Sequence, residues 1–385
     1  MELLFPPPQV HEPPIKGKGK GWPALLKGIL KQFPKVYQAL KAVKEHWDFR
    51  DLLDRFTLSQ VEEMKRSRVL VFHEWWLAHA YLEKVGRQEG QKVLLMSHSP
   101  VEWAREYADT LKSYAGPSLL WEVVYGLYAK KELRTWSSCD GLVAPSRHSL
   151  EGYFPGNGRK RIRELRVLEL PTGVQELVPK RPLEEVRRTW GLPQEAMVLG
   201  FFGRRHPHKG YDIFYRLALL ALGRMPELVF VSAGNGPLAP PPVPNLRHLG
   251  FLAGEELADA INACDLILVP NRVTYFDLVI LEAMSLGKPV ITTRIGGARS
   301  ILAPGVYLVD HAQLGPEELL RLVAHLAQRR EALSEAGREN RRVYEERYSL
   351  KAFARRHCQA AEALLEWARG GSCPDPFVSF TLSQA

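Results

Sequence analysis

Apolar residues in this chain fall into short unbroken runs, separated by longer stretches in which they recur every three or four positions. Val69–Phe72, Lys92–Met96 and Gly141–Ala144 are runs of the first kind, and 120–134 has helical spacing. The pattern predicts buried strands alternating with covering helices, and so a parallel sheet protected on both faces. It breaks after Leu170, where Pro171, Gly173, Pro179 and Pro182 punctuate a polar stretch that reads as a linker. The rhythm then restarts. Strands are expected at Met197–Phe202, Leu228–Ala233, Leu266–Val269, 289–292 and Val306–Val309, and helices at 211–222, 255–263, Leu278–Ser285 and 317–329, with 237–244 a Pro-rich loop. Two doubly wound, Rossmann-like α/β domains are the simplest account. Ligands of such sheets bind beyond the carboxyl ends of the strands, which puts the expected site in a cleft between the domains. The expected boundaries are 1–180 for the first domain, with a C-terminal helix over 348–370 returning to it, 188–347 for the second, and a tail over 371–385. At the start, residues 2–5 read as a short strand. Trp22, Leu25, Leu26, Ile29, Leu30, Phe33, Val36, Tyr37 and Leu40 follow helical spacing that Pro34 should kink or split.

Composition narrows the class. The chain has 385 residues, 45% of them apolar, enough for two cores without disulfide or metal staples. No apolar run approaches the roughly 18 residues that span a bilayer. The opening Met-Glu-Leu-Leu-Phe runs straight into Pro6, Pro7 and Pro8, unlike a signal peptide, so the expected location is the cytoplasm. Cys139, Cys264, Cys358 and Cys373 form no C-x-x-C pair and no His pattern completes a zinc site; all four are expected to be reduced, the first three in the core and Cys373 in the tail. The net charge of +9 favours anionic partners, and Lys16, Lys18, Lys20, Lys27, Lys31, Lys35, Lys41 and Lys44 crowd one N-terminal stretch.

Three segments carry candidate chemistry. Gly203-Arg204-Arg205-His206-Pro207-His208-Lys209-Gly210 follows an expected strand and precedes an expected helix. Glycine there lets the backbone approach a ligand, the helix start favours an anion, and Arg204 and Lys209 add two cations. Such a loop can hold a diphosphate and stabilise it as a leaving group, or it can be a solvated basic turn. Gly234-Asn235-Gly236 also follows a strand and can be a plain turn. In the third segment, Asn271 to Gly287, Glu282 interrupts the apolar Leu278-Val279-Ile280-Leu281. A carboxylate buried there needs donors, such as ribose hydroxyls; the alternative is a Glu facing solvent.

Together these segments resemble the retaining GT-B glycosyltransferases of the family-four, group 1 type, which includes mannosyl-, glucosyl- and N-acetylglucosaminyltransferases of cell-envelope synthesis. The resemblance is strongest over 199–297 and looser over 69–173. The family's G-R-x-x-x-x-K-G loop matches Gly203 to Gly210, which implies that Arg204 and Lys209 grip the donor diphosphate. Its P-S-x-x-E-x-F-G-L-x-x-x-E-A-M-x-x-G-x-P-V matches Pro270 to Val290, with Glu282 at the ribose. The match implies donor contacts from Gly203, Gly234, Asn235, Gly236, Phe251, Asn271, Thr274, Phe276, Asp277, Leu278, Val279 and Glu282. His98, in Ser97-His98-Ser99-Pro100, aligns with the family's active-site His, although a lone His is more often structural. Asp140 and Ser146 resemble a pair around the last N-domain strand, and Leu170-Pro171-Thr172-Gly173-Val174 the turn before the linker.

Two positions depart from the family. Its first Glu, which contacts the donor sugar, falls on Thr274, and a Gly falls on Asp277. Asp277 either supplies a replacement carboxylate or caps the helix that begins there. Lys18, Gly19, Lys20 and Gly21 sit where the family has the Gly-rich turn bordering the acceptor, and the basic helix after them suits an anionic membrane surface, or is a solvated loop and core helix. No nucleic-acid module accompanies the charge.

The expected function is therefore retaining transfer of a sugar from a nucleotide-sugar donor to a saccharide or lipid-linked acceptor, in the cytoplasm or on the inner face of the membrane. The resemblance implies that the leaving diphosphate acts as base and that no cofactor or divalent metal is needed. A donor-binding subunit without activity and a sugar-nucleotide epimerase are the alternatives.

Overall fold

The protein's structure is a computed structural model in which residues 35–36, 38–42, 56–153, 164–239, 242–374 and 377–381 are described. The expected strand at 2–5 and the acceptor residues Lys18, Gly19, Lys20 and Gly21 lie outside these residues, as does most of the helix expected from Trp22. The chain divides into two compact units, 1–142 with 365–372, and 143–364 with 373–385.

In the first unit, α1 (Leu58–Arg66) opens with a reciprocal cap between Thr57 and Gln60. It is followed by β1 (Val69–Phe72), α2 (Trp75–Lys84), β2 (Lys92–Met96), α3 (Trp103–Ala115) and α4 (Leu120–Ser138). β1 runs parallel to β2, with Val69 opposite Lys92 and Phe72 opposite Leu95. Asp140 accepts from the Val93 N–H at 2.7 Å and pairs with Arg87 at 2.6 Å, while Arg87 also donates to the Ser138 carbonyl at 2.6 Å. This staples the end of α4 to β2. The periodicity reading missed α2 and α3. α2, Trp-Trp-Leu-Ala-His-Ala-Tyr-Leu-Glu-Lys, is apolar almost all round and so has no clear stripe. α3 buries Ala104, Ala108 and Leu111, a stripe too small-sided to stand out.

β3 (Gly141–Ala144) and β4 (Glu164–Glu169) continue the first sheet, whose strand order is β1-β2-β3-β4-β11. β11 (Phe377–Thr381) is antiparallel to β4, with Phe377 opposite Leu168, so the segment expected as a tail supplies an edge strand. The second unit then builds α5 (Leu183–Thr189), β5 (Met197–Phe202), α6 (Tyr211–Ala221), β6 (Leu228–Ala233), β7 (Leu246–His248), α7 (Gly254–Asn262) and β8 (Leu266–Val269). These are followed by α8 (Leu278–Ser285), β9 (Val290–Thr293), β10 (Val306–Val309), α9 (Pro316–Ala327), α10 (Arg330–Val343) and α11 (Leu350–Ala368). Six strands form a parallel sheet in the order β10-β9-β8-β5-β6-β7.

This sheet is buried on both faces, and the alternation along each strand sorts its side chains. Val198 and Phe202 of β5, Val229 and Val231 of β6 and Ile267 and Val269 of β8 join one core. Met197, Leu199 and Phe201, Leu228 and Phe230, and Leu266 and Leu268 join the other. α6 closes the second core with Tyr211, Phe214, Leu217, Ala218 and Ala221, and α9 with Leu319, Leu320, Val323 and Leu326. Gly200 is required in β5, because a Cβ there would stand 2.7 Å from the Cys264 sulfur and 2.6 Å from the Phe202 ring. Cys139 and Cys264 are buried as expected, and burial pushes each thiol up to about 12. Cys358, expected in the core, is exposed on α11.

Asn340 of α10 is fully buried, accepts from the Gly305 N–H at 2.9 Å and donates to the Lys288 carbonyl at 3.0 Å. Asn340→Ala orphans both groups and should cost about 2–3 kcal/mol, read as a lowered urea midpoint at unchanged m-value.

Candidate functional site

β5 and β8 are neighbours in the sheet although β6 and β7 separate them in sequence. The chain winds outward from β5 through β6 to β7, returns to β8, and winds the other way to β10. The crevice beyond the carboxyl ends of β5 and β8 is thus the topological switch point, where doubly wound sheets bind their ligands. The two loops that leave these strands are 203–210 and 270–277, the segments singled out by the sequence.

The β5 loop is locked from both sides. Gly210 is left-handed (φ 70°, ψ 24°), and a Cβ on it would lie 2.0 Å from the Pro270 carbonyl oxygen. Arg272 fastens the same contact, its N–H donating to the His208 carbonyl at 2.8 Å and its guanidinium to the Pro207 carbonyl at 2.5 Å. The guanidinium also makes a forked pair with Asp212 at 2.6 and 2.7 Å, which holds that carboxyl below the usual range. On the other flank, a Cβ on Gly234 would fall 2.0 Å from the Gly203 oxygen, and one on Gly236 2.5 Å from the Arg205 oxygen. The Arg205 N–H donates to Asn235 O at 2.8 Å and its Nε to Gly234 O at 3.0 Å, and its guanidinium reaches the Leu238 carbonyl. Arg205 and Arg272 are structural staples that the sequence reading passed over. They resemble any surface arginine until their carbonyl partners are known.

What the locked loop presents is cationic. Arg204 is exposed and makes no ion pair among the described residues. The Lys209 ammonium stands 3.3 and 3.4 Å from the Asp277 carboxylate oxygens. Asp277 is 7% exposed and also accepts from the Thr274 hydroxyl at 3.3 Å. It occupies the N-cap position of α8 but makes no cap hydrogen bond, so the capping alternative fails: the carboxylate turns to Lys209 and Thr274 instead. Thr274 is itself buried, and a Cβ on Gly296 would lie 2.1 Å from its carbonyl oxygen, while one on Gly297 would lie 2.1 Å from that of Tyr275. Glu282 is half-buried; burial first, then the Asp277 charge, pushes its carboxyl above the usual range. Asn271 is buried, and its side-chain N–H group has no hydrogen-bond partner among the described residues.

The other expected donor contacts scatter. Phe276 packs its ring in the core against Tyr348, centroids 6.4 Å apart, and Val279 packs against the same core. Leu278 is 44% and Phe251 67% exposed. Beside Phe251, His248 shares a hydrogen bond with the Ser232 hydroxyl at 3.0 Å, which lies 3.4 Å from the Tyr211 hydroxyl. His98 belongs to the first unit, whereas Arg204 and Lys209 belong to the second. It is exposed after β2, its Nε2 2.8 Å from the His73 Nδ1 with the rings stacked. Close by in sequence, burial and the Glu106 charge raise the Glu74 carboxyl to about 7.

Residues 196–329 match the family model described as Glycosyl transferases group 1. The D-inositol 3-phosphate glycosyltransferase of Stackebrandtia nassauensis is 38% identical over 137 residues, 31% of this chain and 31% of that protein. The one from Geodermatophilus obscurus is 28% identical over 218 residues, 52% of this chain and 48% of that protein. The GDP-mannose-dependent alpha-mannosyltransferase of Mycolicibacterium smegmatis is 32% identical over 169 residues, 44% and 43% respectively. The chain spans about a third to a half of the length of these curated relatives. Among solved structures, Anabaena Alr3699/HepE in complex with UDP and glucose superposes with a TM-score of 0.56 at 16% identity, over 79% of this chain and 80% of that one. Sucrose-phosphate synthase from Thermosynechococcus elongatus gives 0.57 at 16%, over 89% and 79%. The likeness to these structures is one of fold, an α/β chain with two parallel-sheet domains of the GT-B kind.

Gly210→Ala places a side chain on the Pro270 carbonyl at a left-handed residue, so the β5 and β8 loops must part. The variant should lose at least about 2 kcal/mol of stability, read by thermal denaturation.

Proposed function

We propose that this chain, which carries a group 1 glycosyl transferase domain in a GT-B fold, transfers a hexosyl group from a nucleotide-sugar donor to a saccharide or lipid-linked acceptor with retention of configuration. One observation carries the reading. Arg204 and Lys209 project from a loop locked in place at the switch point of a parallel sheet, with the buried Asp277 carboxylate beside Lys209. Two cations carried on a fixed backbone loop suit a diphosphate, and they stabilise the charge that grows on it as the glycosidic bond breaks. They take the part that a divalent ion plays in other transferases, so this reading requires no metal. Glu282, half-buried, suits the ribose hydroxyls, and Asn271 has a buried donor to offer the ligand. The leaving diphosphate, held by both cations, receives the acceptor's proton, and the acceptor attacks from the face the leaving group vacates. His98 serves the donor sugar in this reading, and the transfer belongs to cell-envelope or exopolysaccharide synthesis.

The second reading, a donor-binding chain without transfer, draws on Thr274 standing where a carboxylate is expected. Lys209→Ala separates the two. On the transferase reading it lowers turnover at least 100-fold over a panel of nucleotide sugars and acceptors while the melting temperature stays within a few degrees. Wild-type protein that binds nucleotide sugars yet releases no sugar with any of them supports the second reading.

An anionic membrane surface is the proposed site of action. α4 presents exposed Leu120, Val123 and Leu127, with exposed Leu119 at its N-cap, and the same helical face continues into exposed Lys130 and Arg134. Apolar turns followed by cations suit shallow docking on anionic headgroups. The full chain should co-sediment with vesicles containing phosphatidylglycerol and not with pure phosphatidylcholine, and Val123→Glu with Leu127→Glu should abolish the difference.

A further inference from the structure

We infer that Asp277 receives a hydroxyl group of the donor's sugar, and that it makes this site favour a nucleotide sugar over the bare nucleoside diphosphate. The inference rests on the reading that Arg204 and Lys209 hold the diphosphate.

A carboxylate offers about four acceptor positions. Asp277 is 7% exposed, so water does little to fill them. The Thr274 hydroxyl fills one at 3.3 Å. The Lys209 ammonium lies 3.3 and 3.4 Å from the two oxygens, well beyond the roughly 2.7–2.9 Å of a close charge-assisted bond. The N–H groups of the first turn of α8 donate nothing to it. A carboxylate buried with open acceptor positions is costly unless a ligand supplies donors.

The position selects the ligand's chemistry. Asp277 contacts the ammonium that would hold the diphosphate, so whatever the diphosphate is esterified to comes within a few ångströms of it. A further phosphate would be repelled. A divalent cation would need more ligands, and among the described residues no group of three or more His, Cys, Asp or Glu side chains could hold one. A sugar hydroxyl is a neutral donor that can fill an open position without displacing Lys209.

Thr274 is then a positioning residue. Its carbonyl is fixed by the close approach of Gly296, and its hydroxyl orients the carboxylate. The same carboxylate beside Lys209 weakens the hold on a bare diphosphate. Selectivity therefore comes from both sides: repulsion that every diphosphate meets, and a hydrogen bond that only the sugar-bearing one gains.

Calorimetry with matched ligand pairs, UDP with UDP-glucose and GDP with GDP-mannose, tests this on the full chain. For the pair that wild-type protein binds, Asp277→Asn should leave the nucleoside diphosphate within about threefold of wild type or bind it tighter, and weaken the nucleotide sugar at least tenfold. Thr274→Val should show a smaller loss, again confined to the nucleotide sugar. An equal change for both ligands in Asp277→Asn is what a mere partner of Lys209 would give, and overturns the inference. An unaltered nucleotide-sugar affinity does the same. If Asp277→Asn fails to fold, the Thr274→Val comparison decides alone by the same criterion. Failure of the underlying reading looks different: Lys209→Ala would leave nucleoside diphosphate affinity unchanged, or neither pair would bind wild-type protein at all.

Discussion

Three backbone carbonyls, of Gly203, Arg205 and Pro270, stand where side chains on Gly234, Gly236 and Gly210 would have to be. Everything at the switch point depends on these approaches. They bring the loops after β5, β6 and β8 within backbone contact of one another, where main-chain bonds and the guanidinium groups of Arg205 and Arg272 hold them. A loop carrying two exposed cations gains nothing from the protein in return for ordering them. Fixed from both sides, it holds the backbone of Arg204 and Lys209 in place, and electrostatic stabilisation by such a loop draws on that pre-organisation.

The charges around the loop are sorted by whether they are satisfied. Arg272 is paired with Asp212, and Arg205 is spent on carbonyls, so neither adds much to the field in the crevice. Arg204 remains open, and Lys209 is shared with a carboxylate at a distance too long to neutralise it fully.

Much of this architecture is legible in the sequence because a strand buried on both faces writes itself as an unbroken apolar run. β5, Met-Val-Leu-Gly-Phe-Phe, is wholly buried and was read residue for residue, as were β6, β8 and β10. Elements with no contrast between faces or with small buried residues, α2 and α3, escaped, and so did β11, whose place is set by pairing with β4 from far away in sequence. At the site, glycines and cations were visible because their spacing is local. Arg205 and Arg272 were not, since a staple is defined by the carbonyl it reaches. Phe276 was read as a ligand contact from its place in a motif, while its side chain belongs to the core and its neighbour Asp277 faces Lys209.

Asp277 shows why motif position and side-chain direction must be argued separately. By sequence it is the first residue before a helix, and an aspartate there ordinarily accepts from that helix's free N–H groups. Two competitors outweigh them, a full positive charge on Lys209 and a hydroxyl on Thr274, both from segments held by glycine contacts. The first turn of α8 is left with uncapped N–H groups, and the helix start keeps its own partial positive charge next to Lys209. A buried carboxylate that forgoes its nearest donors for two longer bonds leaves acceptor capacity turned toward the crevice. The carboxylate of this loop thus stands three residues after Thr274, held by that residue's hydroxyl and beside Lys209.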